Sequence, residues 1–407
     1  MKKRKDANGR VLKDGESFRT DGRYQYRYTD ENKKRRTIYA HSLQELREKE
    51  KAIQKDIEDG IRTDTKGITL NDIYDEYIAG KTELKQSTRS NYKYLYGKYV
   101  RPTIGTRPIS SFKYSDMLKF YKHMLDECHF KPHSLESIHS ILHPVFTRAV
   151  RDDIIRKNPT DGLIKEIKQS RHWQNPKRHA LTIEEQTKVL NFVSNSNMYR
   201  CWYNMLVVLL GTGMRISELC GLRWSDCDFD NNIISVDHNL VYRVQDNGKA
   251  EFHITTPKTN AGVREIPMLT VVKKALLDER KQQEETGFNM TIVDGCFGFI
   301  FMTRDGNVTS QHNVTRALKR IVECCNINEA ENAKAENRPP AFVRDFTAHN
   351  LRHTFCTRFC ENESNIKVIQ EIMGHSDAQT TLNIYSEVTL DKKKAVFSDL
   401  DNKILVI

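Results

Sequence analysis

The chain has 407 residues, 38% of them hydrophobic, and carries 65 Lys and Arg against 54 Asp and Glu, a net charge of +11 with a pI of about 9.1. That length gives room for two to four packed domains, and neither an apolar run of roughly 18 residues nor a signal-peptide pattern points to a membrane. Its nine cysteines are odd in number and lack paired metal-type spacing, which fits a reducing compartment rather than a disulfide or zinc scaffold.

The position of the charge says more than its sum. Residues 1–66 hold 19 basic and 13 acidic side chains, residues 81–178 hold 20 and 9, and residues 179–407 are slightly acidic. All the positive excess lies in the first 178 residues, as expected if that part grips a polyanion while the rest carries out chemistry. A merely solubilising surface is the alternative.

In chain order, residues 1–10 read as a basic arm. Three strands follow, over Ser17–Thr20, Arg23–Thr29 and Arg36–Ala40, with Asp21-Gly22 as a hairpin turn. Along the second strand Tyr24, Tyr26 and Tyr28 alternate with Arg23, Gln25 and Arg27, so the strand period puts tyrosines on one face and polar, mostly basic groups on the other. A helix over Ser42–Gly60, opened by the capping box Ser42-x-x-Glu45, offers Leu43, Leu46, Ala52, Ile53 and Ile57 to cover the tyrosines. A cationic sheet of this kind suits a β-ribbon reader of a DNA groove, with Arg19, Arg23 and Arg27 as contacts. A solvated charged face is the alternative.

After a short linker at Thr63–Gly67 the pattern is helical. Helices are expected over Leu70–Ile78, from an N-cap at Ser87, over Tyr114–Glu127 and over Ser134–Asp152, the last burying Leu135, Ile138, Leu142, Val145, Phe146 and Ala149, with a bend at Pro144. The second helix interleaves Arg89, Tyr92, Lys93, Tyr96 and Lys98, and Lys85 stands just ahead of it. A basic helical bundle of this sort reads as a clamp on duplex DNA through Lys85, Arg89, Tyr92 and Lys93, gaining most of its affinity from phosphates. Tyr92 and Tyr96 are equally readable as core.

A polar connector, Lys165–Arg178, leads to a helix capped by Thr182. Trp202–Leu210 reads as a buried helix, broken by Gly211-Thr212-Gly213 ahead of Met214-Arg215-Ile216. An arginine delivered there is held rigidly at a cleft, unless it only pairs with Glu218 on the surface. Strand-like runs follow at Ile233–Asp237, Leu240–Val244, Glu251–Thr255 and Val263–Ile266, with Lys258 in the turn between the last two. Gly295–Met302 is a further apolar stretch, Gln311–Cys325 a helix, and Glu329–Arg338 a charged loop.

The stretch from His349 to Tyr385 concentrates the chemistry. His349 and Arg352 share a helix face, His375 follows Gly374 at a helix end, and Tyr385 comes ten residues later. Arginine suits bidentate phosphate contact, histidine moves or donates a proton, and tyrosine can be a nucleophile. His349 and His353 have the spacing of a zinc pair, but the glutamate expected after the first histidine is missing, so no metal is expected.

Arg215 before a small sheet, Lys258 in its hairpin, then His349-x-x-Arg352, Gly374-His375 and Tyr385 resemble the tyrosine recombinase (phage-type integrase) family. The phrases Gly211-Thr212-Gly213-Met214-Arg215-Ile216-Ser217-Glu218-Leu219, His349-Asn350-Leu351-Arg352-His353-Thr354-Phe355 and Met373-Gly374-His375-Ser376 closely match its motifs. The N-terminal sheet is similar to the arm-binding domain of conjugative-transposon integrases, so the resemblance covers nearly the full chain. It implies a multidomain, mainly α protein with α+β parts. An arm-type DNA-binding domain of three strands and a helix would occupy residues 1–66, and a helical core-binding bundle residues 67–165. A linker over 166–178 would precede a mixed α/β catalytic domain at 179–390, and a tail at 391–407 would pack on a neighbouring protomer, with docking onto its own domain as the alternative.

The resemblance also implies roles. Tyr385 attacks a scissile phosphate to form a 3′-phosphotyrosine, Arg215 and Arg352 clamp the non-bridging oxygens, and Lys258 protonates the leaving 5′-oxygen. His349 assists proton transfer and His375 hydrogen-bonds the phosphate. Covalent linkage conserves the phosphodiester energy, so no cofactor is expected. The implied partners are double-stranded DNA at core and arm sites, a homo-tetramer on synapsed DNA, an excisionase and a host DNA-bending protein, in the bacterial cytoplasm on the nucleoid. A type IB topoisomerase shares this chemistry but needs no second site, and a non-catalytic DNA-binding regulator needs no intact site at all.

Overall fold

The computed structural model describes residues 4–6, 8–30, 33–62, 67–128, 130–169, 179–244, 249–257 and 259–385. Lys258, most of the connector (170–178) and the tail 391–407 therefore lie outside the described residues. The chain divides into two units, 1–176 and 177–407.

In the first unit β1 (Glu16–Phe18), β2 (Tyr24–Thr29) and β3 (Arg35–Ala40) form an antiparallel sheet in that order, with Tyr24 opposite Ala40 and Tyr26 opposite Ile38. Helix α1 (Leu43–Glu58) packs Leu43 and Leu46 on Tyr24, Tyr26, Ile38 and Ala40. The hydroxyl of its N-cap Ser42 accepts from the Glu45 amide, while the Glu45 carboxylate reaches back to the amide of His41 instead of Ser42. Two residues expected under the sheet are exposed: Ala52 points to the opposite helix face, and Ile57 lies past Ile53, the last α1 residue packed on this core. Gln25, expected on the open face, is buried because its amide is bonded to Ser17.

The rest of this unit is helical: α2 (Leu70–Gly80), α3 (Gln86–Leu95) prolonged by a π-helical turn at Tyr96–Val100, α4 (Tyr114–Asp126), α5 (Pro132–Arg151) and α6 (Leu163–Lys168). Thr69 and Asp72 close a full capping box at the start of α2. Helix α3 starts one residue before the expected cap, with Lys85 at the cap position and no side-chain cap bond. The six residues expected to form the α5 stripe are all buried, joined by Ile141, and the helix runs unbroken through Pro144. The connector begins later than its composition suggests, because α6 reaches Lys168 and buries Ile167 in the bundle core. Arg156 ties the bundle to α1, 2.8 Å from both Asp56 and Asp59.

Among the described residues of the second unit, α7 (Ile183–Asn195), α8 (Tyr203–Thr212) and α9 (Ile216–Gly221) precede five strands: β4 (Cys227–Asp228), β5 (Ile233–Val236), β6 (Asn239–Val244), β7 (Ala250–Thr255) and β8 (Arg264–Pro267). The strands form two sheets, β4-β5-β8 and β6-β7. The strands on either side of Lys258 in the chain, β7 and β8, thus belong to different sheets and do not pair as the expected hairpin. Helices α10 (Thr270–Thr286), α11 (Gln311–Ala335), α12 (Ala348–Asn362), α13 (Ile366–Met373) and α14 (Ala378–Tyr385) complete the unit. The expected loop at Glu329–Arg338 is mostly the end of α11. Its alanines and glutamates favour helix, and buried Glu329 is held by Lys188 at 3.1 Å and Arg338 at 2.7 Å. Gly295–Met302 forms isolated bridges around the buried Phe299, Ile300 and Phe301. No helix among the described residues is long and apolar enough to cross a membrane.

Candidate active site

The apolar helix α8 ends where Gly213 turns left-handed, at φ 62°, and a Cβ there would lie 2.4 Å from the Phe355 ring. Glycine alone meets both demands. The chain then delivers Arg215 as the N-cap of α9. Glu218, buried one turn on, accepts from the Arg215 amide at 2.8 Å and from its Nη1 at 2.7 Å, and Nη2 donates to the Gly374 carbonyl at 2.9 Å. The pairing with Glu218 considered as an alternative does form, with the carboxylate buried and the Arg215 side chain half-exposed, and it orients the guanidinium.

Helix α12 begins at a Thr347–Asn350 capping box. Its buried face carries Arg352, 4% exposed, whose Nη1 donates to the Gly213 carbonyl at 2.6 Å and whose Nη2 donates to the Met373 carbonyl. Burial, and then the like charge of Arg215, pushes Arg352 down to about 9. An anion placed between the two arginines reverses that shift. His349 sits exposed in the first turn of the same helix.

Helix α13 is closed by Gly374, left-handed at φ 62°, where a Cβ would meet the Ala261 carbonyl at 2.8 Å and the Arg264 side chain at 3.0 Å. The turn Asn260–Gly262, just after Lys258, is therefore packed against the residue before His375. The His375 ring is buried, with Nδ1 2.9 Å from the Thr381 hydroxyl of α14. Burial first, then the charges of Arg352, Arg215 and Arg264, push it down to about 4, so it is neutral at neutral pH. Helix α14 packs on α12 and α13, with Ile384 against Cys356, Cys360, Ile369 and Met373. Tyr385 is its last residue, and the tyrosine side chain lies outside the described residues.

The structure thus gathers Arg215, Arg352 and His375 around the carbonyls of Met373 and Gly374. Two further residues hold them that motif reading did not single out. Thr381 orients His375, and Arg264 shares Glu218 with Arg215, its Nη2 2.8 Å from the carboxylate. A signal for Arg264 existed: it stands in phase with buried Ile266 along β8, where a cation needs a buried partner.

The residues expected to contact DNA are placed differently. Arg19 and Arg23 are exposed, both pair with Asp21, and their guanidinium carbons lie 5.5 and 5.4 Å from the centre of the Tyr39 ring. Arg27 is exposed on the same sheet. Lys85, Arg89, Tyr92 and Lys93 fall on one face around α3, with Lys85 and Lys93 exposed and Arg89 and Tyr92 half-buried. Tyr96 is core, stacked on Tyr74 at 3.5 Å.

Among the described residues, Asp226, Asp237 and His238 form one cluster of metal-compatible spacing. Its atoms are already engaged, with Asp226 held by Arg223 at 2.8 Å and His238 lying 2.7 Å from the Gly221 carbonyl. His353, the second histidine of the zinc-like spacing, is buried beside the Thr357 hydroxyl.

Among the described residues, two arginines and a histidine converge beside backbone carbonyls, ahead of a helix that ends in tyrosine, an arrangement with the chemistry to hold an anion. The phage integrase family matches residues 179–391, the DNA binding domain of tn916 integrase residues 1–57, and the phage integrase N-terminal SAM-like domain residues 69–125. The chain belongs to the phage integrase family and is a tyrosine-type recombinase that breaks and rejoins DNA. It is 32% identical to the transposase from transposon Tn916 of Enterococcus faecalis, over 98% of this chain and 97% of that one. It is 22% identical to the ICEBs1 integrase of Bacillus subtilis, over 89% and 91%. The Tn1549 transposon integrase in complex with transposon right end DNA superposes with a TM-score of 0.71 at 31% identity, over 82% of this chain and all of that one. A lambda integrase dimer bound to a core site shares the fold, with a TM-score of 0.53 at 19% identity over 92% and 95%.

Proposed function

We propose that this recombinase excises and integrates a mobile element, a conjugative transposon or a prophage, by paired strand exchanges through a 3′-phosphotyrosine. Tyr385 attacks the scissile phosphorus, the P–O5′ bond breaks, and the 5′-oxygen leaves with a proton from Lys258. His349 assists the transfer of the tyrosine proton. Arg215 and Arg352 hold the non-bridging oxygens, where charge builds in the transition state. His375 takes the Thr381 hydroxyl on Nδ1 and presents Nε2–H to the phosphate, as a neutral ring can.

What carries this reading is the anchoring of Arg215 and Arg352 on the carbonyls of Gly374 and Met373, beside His375, at the start of the segment that leads through α14 to Tyr385. Residues 1–66 act as the arm-type domain, a role supported by the family match over 1–57. Residues 67–165 act as the core-binding domain and residues 179–390 as the catalytic domain, with 166–178 between them. The enzyme works as a tetramer on two DNA sites in the bacterial cytoplasm, on the nucleoid, aided by an excisionase and a host DNA-bending protein. The tail 391–407, which ends in Ile404-Leu405-Val406-Ile407, packs on a neighbouring protomer. Its chemistry suits the apolar groove lined by Leu190, Val207, Leu210, Phe355 and Phe359.

The test is a nicked suicide substrate carrying a core site. Wild-type protein is expected to form a covalent adduct, and Tyr385→Phe is expected to bind the same DNA and form none. An adduct of wild-type yield from Tyr385→Phe removes the tyrosine from the mechanism.

A further inference from the structure

Arg264 lies on β8 with its side chain 5% exposed. Each of its nitrogens is bonded to protein. Nε donates to the Ile372 carbonyl at 2.7 Å, Nη1 to Glu218 at 3.1 Å and to the Gly262 carbonyl at 3.3 Å, and Nη2 to the second Glu218 oxygen at 2.8 Å. Its guanidinium is thus a two-toothed partner of Glu218. Glu218, its side chain 1% exposed, also takes the amide and Nη1 of Arg215.

The charge count makes this arrangement consequential. Arg215 and Glu218 alone form a neutral pair, its carboxylate buried and its guanidinium half-exposed, which attracts a phosphate weakly. A buried carboxylate shared with a second arginine leaves one positive charge over, and that charge is available to an anion at Arg215. Arg264 is the partner that occupies Glu218 most fully. Burial works to raise the Glu218 carboxyl, but the net effect is to hold it below the usual carboxylate range, and Arg264 is the largest cause of that lowering, ahead of Arg215. Through Ile372 the same side chain also holds the last turn of α13, two residues before Gly374 and three before His375.

We propose that Arg264 is a positioning residue for strand cleavage, one that neutralises Glu218 so that Arg215 keeps its charge for the scissile phosphate, and that braces the turn carrying His375. It touches no DNA atom itself. The proposal rests on the reading of Arg215 as a phosphate clamp.

The full-length chain is tested in single-turnover cleavage of a nicked core-site duplex, made once with the ordinary scissile phosphodiester and once with a neutral methylphosphonate there. A neutral centre has little use for the charge that Arg264 preserves. Arg264→Met is expected to slow phosphodiester cleavage about 30-fold and methylphosphonate cleavage less than about threefold, a smaller effect than the roughly 10²–10³-fold of losing a donor that touches the reacting group. Arg264→Lys, which keeps the charge, is expected to recover most of the phosphodiester rate. Removing the orphaned charge as well, in Glu218→Gln with Arg264→Met, is expected to cleave the phosphodiester faster than Arg264→Met alone.

Equal slowing on both substrates, or a phosphodiester rate for Arg264→Met within about threefold of wild type, overturns the proposal, since a packing defect does not discriminate between substrates. If Arg264→Met shows no cooperative melt, Arg264→Lys carries the same comparison, and equal slowing of it on both substrates overturns the proposal. Arg215→Ala separates the two levels. Should it slow both substrates equally, the clamp reading of Arg215 fails; should it discriminate while Arg264→Met does not, only the role of Arg264 fails.

Discussion

The arginines of the N-terminal sheet and those of the catalytic unit are held in opposite ways. Arg19 and Arg23 stand in solvent, sharing the Asp21 carboxylate and lying over Tyr39, and Asp21 is pushed down to about 2 chiefly by its bond from Arg23. Arg352 and Arg264 are buried and tied to backbone carbonyls and Glu218. Solvent and salt screen the first set, so its members add up as many weak, replaceable contacts. The second set is oriented when the protein folds, away from solvent, so on the proposed reading Arg352 meets developing charge without reorganising while Arg264 holds the groups around it. On the proposed reading, one residue type would serve as adhesive in one unit and as catalytic electrostatics in the other.

The sharpest way to break that contrast is Arg352→Lys. A compact ammonium lacks the planar fork that spans the Gly213 and Met373 carbonyls while still facing a phosphate, so cleavage is expected to fall about 10²–10³-fold with core-site affinity nearly unchanged. A variant as active as wild type would put Arg352 in the same class as the sheet arginines. Gly374→Ala comes next. Its Cβ meets the Ala261 carbonyl at 2.8 Å in a left-handed conformation, so cleavage is expected to drop about tenfold or more and stability by about 1–3 kcal/mol, read from chemical denaturation.

In the first unit, replacing both Arg23 and Arg27 by alanine is expected to weaken arm-site binding several-fold. The slope of log K against log salt should fall by about 0.9 for each phosphate that is no longer neutralised, while cleavage of an isolated core site is unaffected. An unchanged salt slope removes these residues from the DNA interface.

The smallest effect concerns pH. His375 titrates near 4 in the folded protein against 6.5 for the free side chain. The unfolded chain therefore binds the proton more readily between those values, and stability is lost as pH falls from about 6.5 toward 4. Melting temperatures measured between pH 7 and 5 should show a shallower decline in His375→Gln than in wild type.

Much of this site was legible because its local signals are strong. A nearly all-apolar helix broken by Gly211-Thr212-Gly213, and a helix face carrying His349 and Arg352, need only periodicity and chain stereochemistry to be read. Where reading failed, a partner distant in sequence was often part of the reason. Glu329 turns a charged stretch into the end of α11 by taking Lys188 and Arg338. Ile167 extends the bundle into the expected connector because a core is waiting for it. Arg264 went unnoticed because its meaning depends on Glu218, 46 residues away.

By itself the sequence determined the chemical inventory and its order: two basic regions, then Arg215, Lys258, His349, Arg352, His375 and Tyr385. Those follow from residue type, spacing and helix or strand period, which are local properties. Only the tertiary structure decided that Arg215 reaches a carbonyl 159 residues away, that Arg352 is buried and His375 neutral, and that one carboxylate serves two arginines. Burial and Coulomb energy depend on distance in space, and the chain sets those distances only when it is packed.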